Sequence, residues 1–492
     1  MTGEALHDEL RERELFPHQV EFIETALGSG SGTRLLLADA VGLGKTRACV
    51  ALVWAWRRLR SNRPRTLILA PRALLPMWQA SLADFQVVAD IVDAAKFRHV
   101  EARTPAGQNP WASLDIVITT VDFLKRHDRV RSLLEVFWDL VIVDEAHLFT
   151  GASQAGEVFR ALWDADEVDV MVAASATPSG GLEDMVASTG RAVHVIRRSA
   201  TELVDWEGRP ILGGRASQVV EIVRLRLTAQ EHDLLAMTRS LLQRSAIEDP
   251  SRRFLVGVYV QAAASSLFTF ENLLRRALVG ADRLELTSAV NSQFAAPEVD
   301  NFQNVPETTI SSPLSREDLV HLTELIDLVE VDTKWSACEQ VLQAWQYEGG
   351  GSALIFCDFA YTAQYVAGLV SRTGTPVELL MGAMPAEERD NALHSFQQNG
   401  GVLVLTSAAS EGVALAYVKL CVHYDLPWHS AVLAQRLGRV HRIGAGPGPV
   451  RHVLFADEVL LPERFVKALF SLDEGDAART PAELLSEFLG IP

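Results

Sequence analysis

Two series of short, continuously apolar segments constrain the fold of this chain more than any other feature. The first series runs from residue 34 to 178 and the second from about 352 to 456. The segments read RLLLADA, TLILAPR, DIVITTV, DLVIVDEAH and VMVAASATP in the first series, and SALIFCD, PVELLMG, GVLVLTS, KLCVHYD and PVRHVLF in the second. Longer helix-like stretches separate them. Apolar strands that alternate with helices are typical of parallel sheets covered on both faces.

The two series predict an α/β protein with two parallel-sheet lobes in tandem. Between them, residues 225–280 have the apolar spacing of helices, whereas residues 281–317 lack periodicity and are interpreted as a linker or mobile loop. We expect a first lobe over residues 1–200, a helical insertion and linker over 201–330, and a second lobe over 331–492. A length of 492 residues is sufficient for roughly three domains.

Charge and cysteine content narrow the functions that this chain can have. The formal net charge is −18, so any contact with nucleic acid requires a local basic groove rather than a uniformly basic surface. The four cysteines have no CxxC spacing and no histidine partners, which predicts core residues rather than a zinc site. The apolar runs are too short to span a membrane and the N-terminus is charged, so we expect a cytoplasmic protein without membrane contact.

A glycine-rich string, DAVGLGKT, follows the first apolar strand. Gly42 and Gly44 allow the backbone to curl so that its N–H groups face phosphate oxygens, while Lys45 can reach the terminal phosphates and Thr46 can hold Mg²⁺. Asp39 stands where the usual GxxxxGK[ST] pattern has its first glycine. The string therefore predicts a phosphate-binding loop. The alternative interpretation is a glycine-rich turn with a coincidental lysine.

Two further strings carry side chains suited to phosphoryl transfer. The strand LVIVDEAH ends in two acids, which suits Asp144 for binding Mg²⁺ through water and Glu145 for polarising an attacking water. In the second series, QRLGRVHRIG places Arg439 and Arg442 one helical turn apart, so both can face the same phosphate group. The alternatives are a solvated helix start for the acids and a solvated basic helix face for the arginines.

In this order, the strings resemble those of superfamily-two helicase-like ATPases with two RecA-like lobes. Within that group the chain is similar to the Swi/Snf family, especially the bacterial branch typified by an RNA-polymerase-associated ATPase. The matching strings are DAVGLGKT, PRALLPMW, DEAH, VIRRSATELVDWEGRPI, DTK, ASEGVAL, YDLPW and GRVHRIG. The resemblance implies hydrolysis of ATP with Mg²⁺, and it implies that Gln19 of LFPHQ contacts the adenine.

The resemblance also implies contacts with the nucleic-acid backbone. The residues implied to lie there are Pro71, Arg72, Trp78, Thr119 and Thr120 in the first lobe, and Ser410, Glu411 and Gly412 in the second. The expected function is an ATP-dependent translocase on double-stranded DNA that remodels protein–DNA complexes without strand separation, with protein partners that supply targeting.

Other functions stay open from the sequence. One is an RNA helicase, since DEAH and SATP also occur in that class, and another is a partner-dependent motor subunit of a DNA-defence or repair complex. A third is a non-catalytic scaffold that keeps the fold only to bind partners. The presence of Lys45, Glu145 and both arginines argues against a scaffold.

Overall fold

The chain forms two compact units. The computed structural model describes residues 3–60, 63–149, 153–175, 182, 186, 191–199, 203–211, 218–279, 312–382, 384–409, 415–427, 430–441 and 448–470. Within these ranges, the residues up to 211 form the first unit and those from 218 onward form the second.

The first unit is an α/β layer structure around one parallel sheet. Its strands are β1 (Arg34–Leu37), β2 (Thr66–Leu69), β3 (Asp90–Ile91), β4 (Ile116–Thr119), β5 (Trp138–Val143), β6 (Val168–Ala174) and β7 (Val193–Ile196). Its helices are α1 (Gly3–Glu12), α2 (Pro17–Gly28), α3 (Lys45–Leu59), α4 (Leu75–Asp84), α5 (Ala94–Arg103), α6 (Val121–Leu124), α7 (His127–Leu133) and α8 (Gln154–Asp164). The strand order in the described part of the sheet is β3-β4-β2-β5-β6-β1-β7.

The second unit also contains a parallel sheet. Its strands are β8 (Gln218–Arg224), β9 (Ala353–Cys357), β10 (Val377–Leu380), β11 (Val402–Thr406), β12 (Leu420–His423) and β13 (Val450–Ala456). Its helices are α9 (Ala229–Glu248), α10 (Arg253–Ser265), α11 (Leu267–Leu278), α12 (Arg316–Asp327), α13 (Thr333–Tyr347), α14 (Ala360–Arg372), α15 (Ala386–Asn399), α16 (Ser430–Val440) and α17 (Glu463–Phe470). The strand order in the described part is β10-β11-β9-β12-β13-β8.

The two sheets confirm the predicted α/β fold class. The central strands are buried at every position, as in β1, β2 and β4 of the first sheet and β9, β11 and β12 of the second. Helices cover both faces of such sheets, which explains why the strands read as unbroken apolar runs rather than as alternating ones. Because all paired strands are parallel, their carboxyl ends meet at one edge of each sheet, where ligands bind in this architecture.

The helices of the predicted insertion belong to the second unit. Buried side chains of α9, α10, α11 and α12 share one apolar cluster with β13 and α17, including Leu242, Phe270 and Leu322 from the insertion and Leu454 and Val466 from the sheet side. Strand β8, which also falls within the predicted middle segment 201–330, pairs with β13 along its whole length.

The four cysteines are free and buried, which confirms the prediction that they are core residues. Trp54 and Trp56 on α3 are also core residues, since they are 8% and 2% exposed. None of the helices in the described ranges is both long enough and apolar enough to cross a bilayer.

Candidate nucleotide site

The phosphate-binding loop joins β1 to α3 at the carboxyl edge of the first sheet. Gly42 and Gly44 have φ of +87° and +74°, in the left-handed region that glycine adopts without strain. Gly44 caps α3, so the first turn of that helix opens directly from the loop. Free N–H groups and the positive end of the helix dipole make this place suitable for an anion.

Lys45 begins α3 and turns back onto the loop. Its Nζ donates to the carbonyl oxygens of Asp39 at 2.7 Å and Ala40 at 3.2 Å. Burial lowers the pKa of the Lys45 ammonium, and the nearby carboxylates of Glu145 and Asp39 oppose that effect. Thr46 follows it and is half-buried. The ammonium is thus held at the loop by two carbonyls, which a phosphate group can replace as partners.

Asp144 follows β5 and is 5% exposed. Its Oδ2 accepts a hydrogen bond from the indole N–H of Trp78 at 2.8 Å, and its Oδ1 accepts from the backbone N–H of Glu145 at 3.0 Å. Burial, and then the charge of Glu145, raise the pKa of Asp144 to about 6. Both hydrogen bonds fix the orientation of the carboxylate at the edge of the sheet.

Glu145 has a left-handed backbone, with φ of +50°. For a residue with a Cβ this conformation is uncommon and costly, and strained residues of this kind cluster at functional sites. Its Oε2 lies 3.4 Å from Nδ1 of His147, and the same nitrogen lies 3.2 Å from the hydroxyl of Ser175. Burial lowers the pKa of His147 to about 4, so the imidazole is neutral at pH 7. His147 therefore lies between Glu145 and the strand end at Ser175 and is hydrogen-bonded to Ser175. Residues 176–178 of SATP lie outside the described residues.

Gln19, predicted to contact adenine, is 2% exposed and bonded to the loop. Its Oε1 accepts from the backbone N–H of Phe16 at 3.0 Å, and its Nε2 donates to the carbonyl oxygens of Leu43 and Gly44, both at 3.2 Å. Gln19 thus ties the start of α2 to the phosphate-binding loop. Its role toward adenine stays a prediction.

The oxygen donors at this edge fit Mg²⁺. Thr46 offers a hydroxyl and Asp144 a carboxylate, which are ligands of the hard type that Mg²⁺ prefers. Within the described ranges, no group of three or more His, Cys, Asp or Glu side chains could hold a metal. Mg²⁺ is usually bound by one or two protein oxygens together with substrate phosphates and water.

The predicted nucleic-acid residues of the first unit divide into two groups. Pro71, Arg72 and Thr120 lie in the segments that follow β2 and β4, which are neighbouring strands, and Arg72 is exposed. The other two assignments are corrected, because Trp78 and Thr119 have no exposed surface. Trp78 instead donates to Asp144, and the Thr119 hydroxyl donates to the carbonyl of Val92 at 2.6 Å.

In the second unit, Arg439 lies on α16 and is half-buried. Its carbonyl oxygen accepts from the backbone N–H of Leu415 at 3.1 Å. The other predicted residues of this unit, Ser410, Glu411, Gly412 and Arg442, lie outside the described residues. Their roles stay predictions.

Sequence reasoning missed Arg436, which lies one turn before Arg439 and is 1% exposed. It forms a buried ion pair with Asp358, and it donates to the hydroxyl of Ser407 at 2.7 Å and to the carbonyl of Asp425 at 2.6 Å. The helical spacing on α16 could have indicated that Arg436 is buried, because it falls three residues after Leu433, which is itself buried.

Comparison with known proteins places recognised domains on both halves of the chain. Residues 18–179 match the SNF2-related domain, and residues 333–444 match the helicase conserved C-terminal domain. The RNA polymerase-associated protein RapA of Pectobacterium carotovorum is 25% identical over 464 residues, which are 87% of this chain and 46% of that protein. The chain thus spans about half the length of this curated relative.

Two further matches extend the comparison. The uncharacterized ATP-dependent helicase YqhH of Bacillus subtilis is 23% identical over 450 residues, which are 87% of this chain and 73% of that protein. The crystal structure of the Hef helicase domain of Pyrococcus furiosus superposes with a TM-score of 0.56 at 16% identity, and the match covers 93% of this chain and 98% of that one. At this identity the structural likeness concerns the fold, which is that of tandem RecA-like lobes.

Proposed function

We propose that this chain, which carries an SNF2-related domain and a helicase C-terminal domain, is an ATP-driven translocase of the Swi/Snf family that moves along double-stranded DNA and remodels the proteins bound there. We further propose that the two DNA strands stay paired during movement. The two matching domains support the choice of motor, and the geometry of the first unit supports its chemistry.

The observation that carries the proposal is the meeting of three functional groups at one edge of the first sheet. Lys45 begins the helix after β1, and Asp144 and Glu145 follow β5. Their charges act on one another, since the carboxylates of Glu145 and Asp144 both raise the pKa of Lys45 against the effect of burial. A cation and two carboxylates so placed suit the binding and hydrolysis of a nucleoside triphosphate.

Each of these residues has a separate role in the proposed reaction. Lys45 leaves the carbonyls of the loop and binds the terminal phosphates, while Asp144 and the Thr46 hydroxyl would hold Mg²⁺. When bound, Mg²⁺ neutralises charge on the phosphate oxygens. Glu145 orients and polarises the attacking water, and the neutral imidazole of His147 lies beside its carboxylate, with Nδ1 3.4 Å from Oε2. Arg439 of the second unit would stabilise the charge that develops during transfer.

We propose that the protein moves along DNA without reading the bases, because its predicted contacts are with the phosphate backbone. Arg72 and Thr120 offer donors that suit phosphate oxygens, which are the same at every step along DNA. If the protein closes on ATP and opens after hydrolysis, two such sets of phosphate contacts would shift relative to one another. The predicted partners are duplex DNA and a protein that supplies targeting; RapA is named for its association with RNA polymerase. The predicted cytoplasmic location stays a prediction.

The test compares ATP hydrolysis with duplex DNA, single-stranded DNA and single-stranded RNA as cofactors, with Glu145→Gln as the inactive control. We expect duplex DNA to stimulate hydrolysis most, and the stimulation to fall steeply with salt because binding through phosphates releases counterions. Stimulation by RNA alone would replace the proposed translocase with the RNA helicase alternative.

A further inference from the structure

A buried carboxylate lies in the segment that leads into the phosphate-binding loop. Asp39 follows β1, its side chain is 4% exposed, and its own carbonyl oxygen accepts the Lys45 ammonium at 2.7 Å. The charge of Asp39 raises the pKa of Lys45 against the effect of burial, so it is close enough to affect an ion bound there. An unneutralised carboxylate at this place would repel the phosphates of an incoming nucleotide, because charges interact strongly where water is excluded.

Arg198 pairs with this carboxylate through both of its oxygens. Nε of Arg198 donates to Oδ1 of Asp39 at 2.9 Å, and Nη2 donates to Oδ2 at 3.1 Å. The Arg198 side chain is 13% exposed, so solvent screens this pair little. A two-pronged pair of this kind fixes the direction of the carboxylate as well as neutralising it.

The third nitrogen of the guanidinium binds α2. Nη1 of Arg198 donates to the carbonyl of His18 at 2.5 Å and to Oε2 of Glu21 at 2.9 Å. The backbone adds a further contact, since the N–H of Ala40 donates to the carbonyl of Arg198 at 3.0 Å. One side chain therefore connects the segment after β7, the entry to the phosphate-binding loop and the helix that carries Gln19.

We propose that Arg198 is a positioning residue for ATP binding that acts through Asp39. It neutralises the Asp39 carboxylate and holds it away from the phosphate path, so that the carbonyls of Asp39 and Ala40 keep Lys45 at the loop. Nothing in the motif pattern assigned a role to Arg198, and the inference rests on the proposed nucleotide site.

The proposal predicts that removal of Arg198 and removal of the Asp39 charge have different effects on ATP binding. Arg198→Ala leaves Asp39 charged and mobile beside the phosphates, whereas Asp39→Asn removes the charge that Arg198 neutralises. We therefore expect Arg198→Ala to weaken ATP binding by about tenfold or more, with a smaller effect on kcat. The double variant Asp39→Asn with Arg198→Ala should bind ATP more tightly than Arg198→Ala alone.

The experiment measures the Kd for a fluorescent ATP analogue with Mg²⁺, the KM and kcat for ATP, and the melting temperature of each variant. Arg198→Lys is the conservative variant, and we expect an intermediate Kd because a single ammonium cannot form the two-pronged pair. The matched control is Arg191→Ala. Arg191 also pairs with a carboxylate in the first unit, Asp166 at 2.8 Å, but that pair lies before β7 and not at the loop.

Three results separate the possible explanations. If Arg198→Ala only lowers the melting temperature, as Arg191→Ala is expected to do, with an unchanged Kd, the proposal is wrong and the pair only stabilises the fold. If the double variant binds ATP as weakly as Arg198→Ala, Asp39 is not the residue through which Arg198 acts. Lys45→Ala tests the site itself, because unchanged binding in that variant would refute the proposed nucleotide site rather than the role of Arg198.

Discussion

Replacing Asp144 by asparagine should stabilise the first unit at alkaline pH while it removes a group needed for activity. Burial raises the pKa of Asp144 from 3.8 to about 6. An acid whose pKa is higher in the folded state than in the unfolded state favours folding while it is protonated, and this advantage is lost as the pH rises through the folded pKa. Keeping the carboxylate charged in the folded state at pH 8 therefore costs about 3 kcal/mol.

The variant avoids this cost but loses one hydrogen bond. An amide oxygen can still accept from the indole of Trp78, whereas an amide nitrogen at the other position cannot accept from the backbone N–H of Glu145. That loss is worth about 1 kcal/mol. The cost of the charge is only about 1.5 kcal/mol at pH 5. We therefore expect Asp144→Asn to be more stable than the wild type by about 2 kcal/mol at pH 8 and by about 0.5 kcal/mol at pH 5.

The assay is urea unfolding of the protein without nucleotide and without Mg²⁺, followed by tryptophan fluorescence at both pH values. Asp84→Asn is the control for replacing an aspartate by asparagine, because Asp84 is exposed at the end of α4. If Asp144→Asn differs from the wild type by the same amount at pH 5 and pH 8, then the charge of Asp144 is not suppressed by its surroundings and the argument fails.

Two other predictions concern the proposed reaction, and a third concerns the stability of the second unit. Lys45→Ala should abolish ATP binding, whereas Glu145→Gln should bind ATP and fail to hydrolyse it. Normal turnover by Glu145→Gln in a phosphate-release assay would refute the assignment of Glu145 as the water-activating group. Arg439→Ala should lower kcat, measured by steady-state kinetics, by on the order of 10³-fold, with little change in ATP affinity measured by titration. Equal losses of kcat and of affinity would indicate that Arg439 contributes only to ground-state binding. Burial lowers the pKa of His441 to about 4 and that of His452 to about 3, so both are neutral in the folded second unit. Because both would be protonated more readily in the unfolded chain, the free energy of unfolding should reach its full value above about pH 6.5 and fall as the pH decreases toward 4. His452→Phe should reduce this acid sensitivity in pH-dependent unfolding, and an unchanged pH dependence would contradict the assignment.

The parts of the fold that could be predicted from sequence are those with local causes. The strands are continuous apolar runs because both faces of each sheet are covered, and the phosphate-binding loop needs glycine at two left-handed positions, Gly42 and Gly44. Both kinds of information lie within a few neighbouring residues. They sufficed to place Lys45 and Asp144 at the same edge of the first sheet.

The parts that could not be predicted depend on pairing between distant segments. Asp39 and Arg198 are 159 residues apart, and only the pairing of β7 beside β1 brings them together. Trp78 belongs to a string that resembles a nucleic-acid contact, yet α4 turns its indole inward to Asp144, 66 residues away. No local pattern distinguishes an indole that faces solvent from one that holds a carboxylate, so that assignment required the structure.

The central claim, movement along duplex DNA without strand separation, is tested most directly by displacement of a third strand. A duplex that carries a short triplex is incubated with the protein and ATP, and release of the third strand and separation of the duplex are measured in the same reaction. The account predicts release of the third strand that requires ATP hydrolysis, with the two duplex strands still paired, and no release by Glu145→Gln. Separation of the duplex strands, or failure to release the third strand while duplex DNA stimulates hydrolysis, would contradict it.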